Sequence, residues 1–260
     1  MKISELLIHG GMAHKNAVSF YGRNYRSRAT RNKNGEISVE LHELKSLPRW
    51  LTDMLGIPLL RGFADTIYAF YMKWWTGLLF IIAPMMMNYR IQATVDVFTS
   101  QSSDLAAGYA TGMVSGMIMI FFIMKLSAVS KYHAAEHIVH NLYLQGRPLN
   151  LKEGKKASRI HEWCGTGWLF LLIAYTVIMV FIPIPTWLKI ILWFPFYGEV
   201  MMNENKYFRM IVMPFKGITY ISQFLTTSKP KEEHVEVSLK AFQSLLEKEE
   251  KVLYKSTTIA

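Results

Sequence analysis

Three histidines and a glutamate fall close together in the run Tyr132-His133-Ala134-Ala135-Glu136-His137-Ile138-Val139-His140. On a helix, His133 and His137 stand one turn apart on one face, where two imidazoles can grip a single metal ion. His-x-x-Glu-His is also the inverted zincin spacing, in which both histidines bind zinc and the glutamate serves as general base. A third ligand must come from elsewhere. His161 and Cys164 follow His137 by 24 and 27 residues, both are zinc ligand types, and Glu162 lies between them. The plainer alternative is a helix end whose His and Glu side chains bond only to backbone or phospholipid, since five residues with three fixed positions are weakly specific. A bis-histidine haem has no other support in the sequence. Cys164 beside His161 also suggests a nucleophile, but no orienting partner is visible. Cys164-Gly165-Thr166-Gly167 reads more simply as the turn that starts a helix, with Thr166 as its cap.

The elements that would carry these residues follow from periodicity. Ile37, Val39 and Leu41 alternate with Ser38, Glu40 and His42 just after Asn34-Gly35, a pattern that predicts a β-hairpin with Tyr25 to Thr30 as the partner strand. Apolar stretches follow at 66–87, 105–129, 168–182 and 185–202. Crossing a bilayer takes about 20 helical residues. The first two clear that length, and the last two read as a helical hairpin around Ile182-Pro183-Ile184-Pro185. Tyr109, Gly112 and Gly116 add small-residue spacing that lets helices pack closely in lipid. Val235, Leu239, Phe242, Leu245 and Leu246 then recur at helical spacing, which predicts an amphipathic helix in need of a partner surface.

Composition points the same way. Charged residues make up 18% of the 260-residue chain and apolar residues 51%, with a net charge of +10. Residues 1–65 hold ten Lys/Arg, the loop between the first two stretches one, residues 126–167 six and the tail after Met202 nine. Basic loops stay in the cytoplasm, so this asymmetry places both termini and the His-rich loop inside. Lys73, Lys125 and Lys189 lie within the stretches and read as snorkelling side chains. No nucleic-acid-binding motif accompanies the charge, which sets that class aside. The single cysteine, Cys164, excludes an intramolecular disulfide. No apolar segment follows Met1-Lys2-Ile3-Ser4-Glu5, so a cleavable signal peptide is not expected.

The chain resembles the YqhQ-like family of bacterial membrane proteins of unknown function, described as predicted metal-dependent enzymes. The resemblance is carried by Gly10-Gly11, Asn34-Gly35-Glu36-Ile37, Leu47-Pro48 and Leu60-Arg61-Gly62 in the N-terminal part. It continues through Tyr132 to His137, Ser158-Arg159-Ile160-His161 with Cys164-Gly165-Thr166, and Leu225-Thr226-Thr227 with Pro230 and Val235 to Leu239. It implies a metal-dependent enzyme. The family pattern has a carboxylate where this chain carries Asn16, and a Ser-Tyr-Glu stretch where it carries Met201-Met202-Asn203, with Glu199 and Glu204 nearby. Those departures bear on catalysis more than on metal binding, because His133, Glu136, His137, His161 and Cys164 are all present.

The expected fold is an all-α membrane protein of about four transmembrane helices, with a small cytoplasmic N-terminal β-hairpin and a C-terminal amphipathic helix. The expected division is residues 1–65, a transmembrane region 66–203 enclosing the loop 126–167, and a cytoplasmic region 204–260. The expected function is metal-assisted hydrolysis at the cytoplasmic face of the cell membrane. His133 and His137 are first ligands, His161 completes the site with Cys164 as the alternative, and Glu136 is general base. The expected cofactor is a divalent metal, zinc first. The second reading is a non-catalytic oligomeric membrane scaffold holding a cytoplasmic protein partner, in contact with membrane lipids and without nucleic acid. A channel or transporter is less favoured.

Overall fold

The computed structural model describes residues 7–45, 47–72, 74–99, 119, 122–162, 164–203 and 205–259. Its strands are β1 (Ile8–Ala13), β2 (Ala17–Gly22), β3 (Tyr25–Arg31) and β4 (Ile37–Glu43). Its described helices are α1 (Arg49–Gly56), α2 (Arg61–Met72), α3 (Trp74–Thr99), α4 (Ala128–Leu144), α5 (Leu151–Gly154), α6 (Gly167–Val180), α7 (Thr186–Met202), α8 (Lys206–Thr226) and α9 (Glu232–Ile259). These gather into two units. The first is built from residues 1–46, 121–164 and 223–260, the second from 47–120 and 165–222.

The first unit is a four-stranded antiparallel sheet in the order β1-β2-β3-β4, with helices α4, α5 and α9. Short turns join the strands, and Gly35 takes φ 87° in the β3–β4 turn, a conformation that suits glycine. Val18, Phe20 and Ala29 point to one face and are fully buried. Helix α9 packs across β2 and β3, and α4 packs against β1 and α9. The Phe20 and Phe242 rings meet edge to face at 4.9 Å, and Ile138, Val139 and Leu245 fill the space around them. Each such side chain contributes about 1.5–3 kcal/mol by leaving water. The amphipathic stripe of the tail thus meets this chain's own sheet: Val235, Leu239, Phe242 and Leu245 are all buried there.

The second unit contains α1, α2, α3, α6, α7 and α8 through Ser222. Its core is aromatic. Trp193 stands 5.3 Å from Tyr175 and 5.7 Å from Tyr197, with Leu171 and Leu172 beside them. Helices α2 and α7 come into backbone contact, since a Cβ on Gly62 would stand only 1.8 Å from the Phe194 carbonyl oxygen. The half-buried Asp65 carboxylate accepts a hydrogen bond of 2.9 Å from Tyr197, and loss of solvent around it pushes its pKa up to about 6. Trp74, Leu79, Met85 and Tyr89 of α3 are exposed.

Two findings correct the expected all-α, four-span membrane protein. The chain carries a four-stranded sheet, of which the expected hairpin is only the β3–β4 half. Among the described residues, no helix is long and apolar enough to cross a membrane. The reasons are local. Helix α3 is long, but Pro84, Asn88, Arg90 and Asp96 interrupt its apolar run. Helix α6 has 14 residues, about 21 Å of rise against about 30 Å of hydrocarbon. Helix α7 carries Lys189, Pro195 and Glu199, and α8 carries Lys206, Arg209 and Lys216. Most of the second expected span, with Tyr109, Gly112 and Gly116, lies outside the described residues, as does Lys73. The multi-pass localisation, the cytoplasmic termini and the membrane character all rested on those spans and are withdrawn with them. The alternation of Val39 and Leu41 marked a strand without marking core, for these side chains are 36% and 42% exposed on β4.

Candidate metal centre

The centre is assembled on α4. Its apolar positions Tyr132, Ala135, Ile138 and Val139 join the core of the first unit, so the helix is held from that side. His133, His137 and Asn141 recur at every fourth residue on another face, and Glu136 and His140 on the face between. The helix is buried over much of its circumference, which explains why its polar residues are enclosed: Glu136, His137, His140 and Asn141 are all buried.

The segment 158–164 is fixed against this helix by backbone capture. Asn141 Nδ2 donates to the carbonyls of Ser158 and Ile160, each at 2.8 Å. Gln223 accepts from the His161 amide at 2.7 Å and donates to the His161 carbonyl at 2.8 Å. Both residues lay outside the sequence-based site. Asn141 stands four residues beyond His137, a spacing visible in the sequence, whereas nothing near Gln223 announced its role.

This brings together His133, His137 and Cys164, whose ligand atoms all lie within 4.8 Å of one another. Cys164 Sγ is 3.5 Å from His133 Nε2. The His133 and His137 rings are 4.4 Å apart. His161 stacks 5.4 Å from the His137 ring and 4.6 Å from His140, and it is not one of the three grouped residues. Glu162 is described but does not belong to the group. Asn16 is exposed and donates to the Arg31 carbonyl, and Asn203, in the other unit, donates to Glu199 Oε2 at 2.5 Å. Glu204 lies outside the described residues.

The donors suit a metal. His137 Nδ1 sits 2.7 Å from the Arg159 carbonyl oxygen. A carbonyl only accepts, so Nδ1 carries the proton and Nε2 keeps its lone pair, the usual arrangement of a ligating histidine. Burial favours neutral imidazole throughout. It lowers the pKa of His133 to about 4 and of His161 to about 3, the latter with help from neighbouring histidines. His137 is lowered well below its usual value by burial and by His133 and His161. Donor atoms on a tetrahedral zinc ion stand roughly 3.3–3.8 Å apart, so the observed spread closes with small side-chain rotations. Among the described residues the group offers three donors, two imidazoles and one thiol, all of them zinc ligand types.

Glu136 borders this group. Its Oε2 is 3.7 Å from His137 Nε2, and burial pushes its pKa up to about 8. The carboxyl group lies directly over Gly11 of β1, where a Cβ would stand 2.6 Å from both Cγ and Oε1.

Comparison with known proteins places the chain without naming its chemistry. Over 178 residues, 61% of this chain, it is 28% identical to the uncharacterized protein YqhQ of Bacillus subtilis (strain 168). The match spans 54% of that protein, about half its length. No solved structure matches. The family model described as protein of unknown function (DUF1385) matches residues 63–248, which include α4 and Cys164, and the chain belongs to that YqhQ-like family.

Proposed function

We propose that the first unit binds a divalent metal ion, zinc first, through His133, His137 and Cys164, and uses it in hydrolysis with Glu136 as general base. The observation that carries this reading is the convergence of the three ligand atoms within 4.8 Å, with His137 already oriented by the Arg159 carbonyl. A bound ion would supply Lewis acidity and make water acidic near neutral pH. The chain's own part is to hold neutral imidazoles in a dry site and to keep a carboxyl group beside it. Glu136 holds a proton up to a pKa of about 8, close to neutral, which suits a group that both takes and returns a proton. The competing scaffold reading keeps the basic N-terminal region as its motive, while the apolar stripe of the tail helix is covered by the sheet.

Elemental mass spectrometry on purified protein tests the site. About one equivalent of zinc, iron or manganese is expected in the wild type and none in a His133→Ala/His137→Ala double variant. Equal metal in both, or none in either when chelators are avoided, overturns it. Glu136→Gln is expected to keep the metal and to lose hydrolysis of peptide or ester substrates by about 10²–10⁴-fold. Unchanged turnover removes Glu136 from the reaction.

A further inference from the structure

We propose that Gly11 is a positioning residue of this centre: its missing side chain is the space that keeps the Glu136 carboxylate at the His137 Nε2 ligand atom. The inference rests on the metal reading above and extends it to the N-terminal strand.

Gly10 and Gly11 are neighbours on one strand, yet their surroundings differ completely. A Cβ built on Gly10 meets nothing within 4 Å. A Cβ on Gly11 meets Glu136 Cγ and Oε1 at 2.6 Å and Cδ at 2.9 Å, distances that real Cβ atoms essentially never show. A flexible side chain on the surface would swing aside at little cost. Glu136 is buried, on a helix packed into the core, and cannot swing into water. Its position is further narrowed on the other side, where Oε2 faces His137 Nε2 at 3.7 Å. The carboxylate is thus confined between a strand backbone and a ligand atom. Register supports the placement: β1 shows an irregularity between Ile8 and Gly10, and the strand resumes regular pairing from Gly10 to Ala13. Such irregularities aim a strand locally.

The test loads the purified full chain with cobalt(II), whose visible spectrum reports ligand geometry directly and needs no substrate. Gly11→Ala is expected to change the ligand-field bands as Glu136→Gln does and to weaken cobalt binding about 10–100-fold. Gly10→Ala is expected to match the wild type. Glu136→Asp is one methylene shorter, so adding Gly11→Ala to it is expected to cost nothing further in affinity or in thermal unfolding. If Gly11→Ala alone does not fold, the Gly11→Ala/Glu136→Asp pair carries the test, since it must fold and bind like Glu136→Asp. A Gly11→Ala protein with the wild-type spectrum and affinity overturns the proposal, as does a double variant no better than Gly11→Ala. Absence of cobalt uptake by the wild type sinks the metal reading itself, and this inference with it, a result distinct from uptake that Gly11→Ala leaves untouched.

Discussion

The first unit buries two glutamates over two strand glycines, and the pair shows how one packing device serves opposite ends. Glu249 of α9 lies over Gly22, where a Cβ would stand 2.4 Å from Oε1. Its carboxylate accepts from the Asn24 amide at 2.7 Å, the Asn24 side chain at 2.8 Å and the Tyr25 amide at 2.8 Å. Glu136 of α4 lies over Gly11 in the same way. Among the described residues its carboxylate meets one polar partner, His137 Nε2 at 3.7 Å. The first glutamate spends its lone pairs on the turn between β2 and β3 and helps to hold the tail helix to the sheet. The second keeps its lone pairs for something else. A buried carboxylate saturated by donors is a structural part, whereas one that faces a single imidazole is available for the proton-transfer role proposed above.

The difference can be broken from the structural side first. Glu249→Ala removes the shared acceptor of two backbone amides and a side-chain amide, and it is expected to cost about 2–3 kcal/mol in chemical denaturation. Metal content per folded molecule is expected to be unchanged. Substantial metal loss at full stability would show that Glu249 also serves the centre.

Gly22→Ala comes next, at about 1–3 kcal/mol for overpacking. Unlike Gly11→Ala, it is not expected to be relieved by shortening the facing acid. Glu249→Asp would withdraw from three donors that need its reach. Recovery of stability in Gly22→Ala/Glu249→Asp would erase the distinction between the two seats.

The smallest effect is a pH dependence that Glu136 gives to the stability of metal-free protein. Glu136 has a folded pKa of about 8 against an ordinary 4.5, so the native state holds a proton that the unfolded chain has already lost between those values. Stability therefore falls as pH rises through that window. His133, lowered from 6.5 to about 4, acts in the opposite sense below pH 6.5 and masks the trend there. Between pH 6.5 and 8 the Glu136 contribution stands alone of the two, a loss of about 1–2 kcal/mol that Glu136→Gln is expected to abolish. A profile in which the variant falls as steeply as the wild type would mean that Glu136 titrates normally.

The His133-Glu136-His137 spacing was legible because helical geometry fixes it whatever surrounds the helix. The third ligand was not. The sequence reading put His161 first with Cys164 as the alternative, whereas Cys164 is the residue grouped with His133 and His137, an outcome that depends on how Asn141 and Gln223 clamp residues 158–161. Gly11 was visible only as part of a Gly-Gly pair, for its meaning lies in an atom it lacks and in a side chain 125 residues away. The apolar runs misled for a different reason. Leu171, Leu172, Tyr175 and Trp193 are buried in an aromatic core, and a helix enclosed by protein shows the same composition as one enclosed by lipid. Length was the discriminating quantity, and the 14 residues of α6 fall short of a span although nearly all of them are apolar. The tail helix was read correctly from its stripe, but amphipathicity names a face and leaves its partner open.

The bonds between Asn24 and Glu249 join positions 225 residues apart, and they lie under a helix of 28 residues that covers the sheet. On a ribosome the strands are therefore made long before their cover. The apolar face of β2 and β3 must wait in the cell while helices α1 to α8 are synthesised, exposed to other chains and in need of shelter. The centre inherits that delay. Gly11 takes up its place under Glu136 when β1 docks on α4, and the core that holds both is complete only with α9. Under the reading proposed above, metal loading would follow the assembly of that core rather than the mere appearance of the ligands.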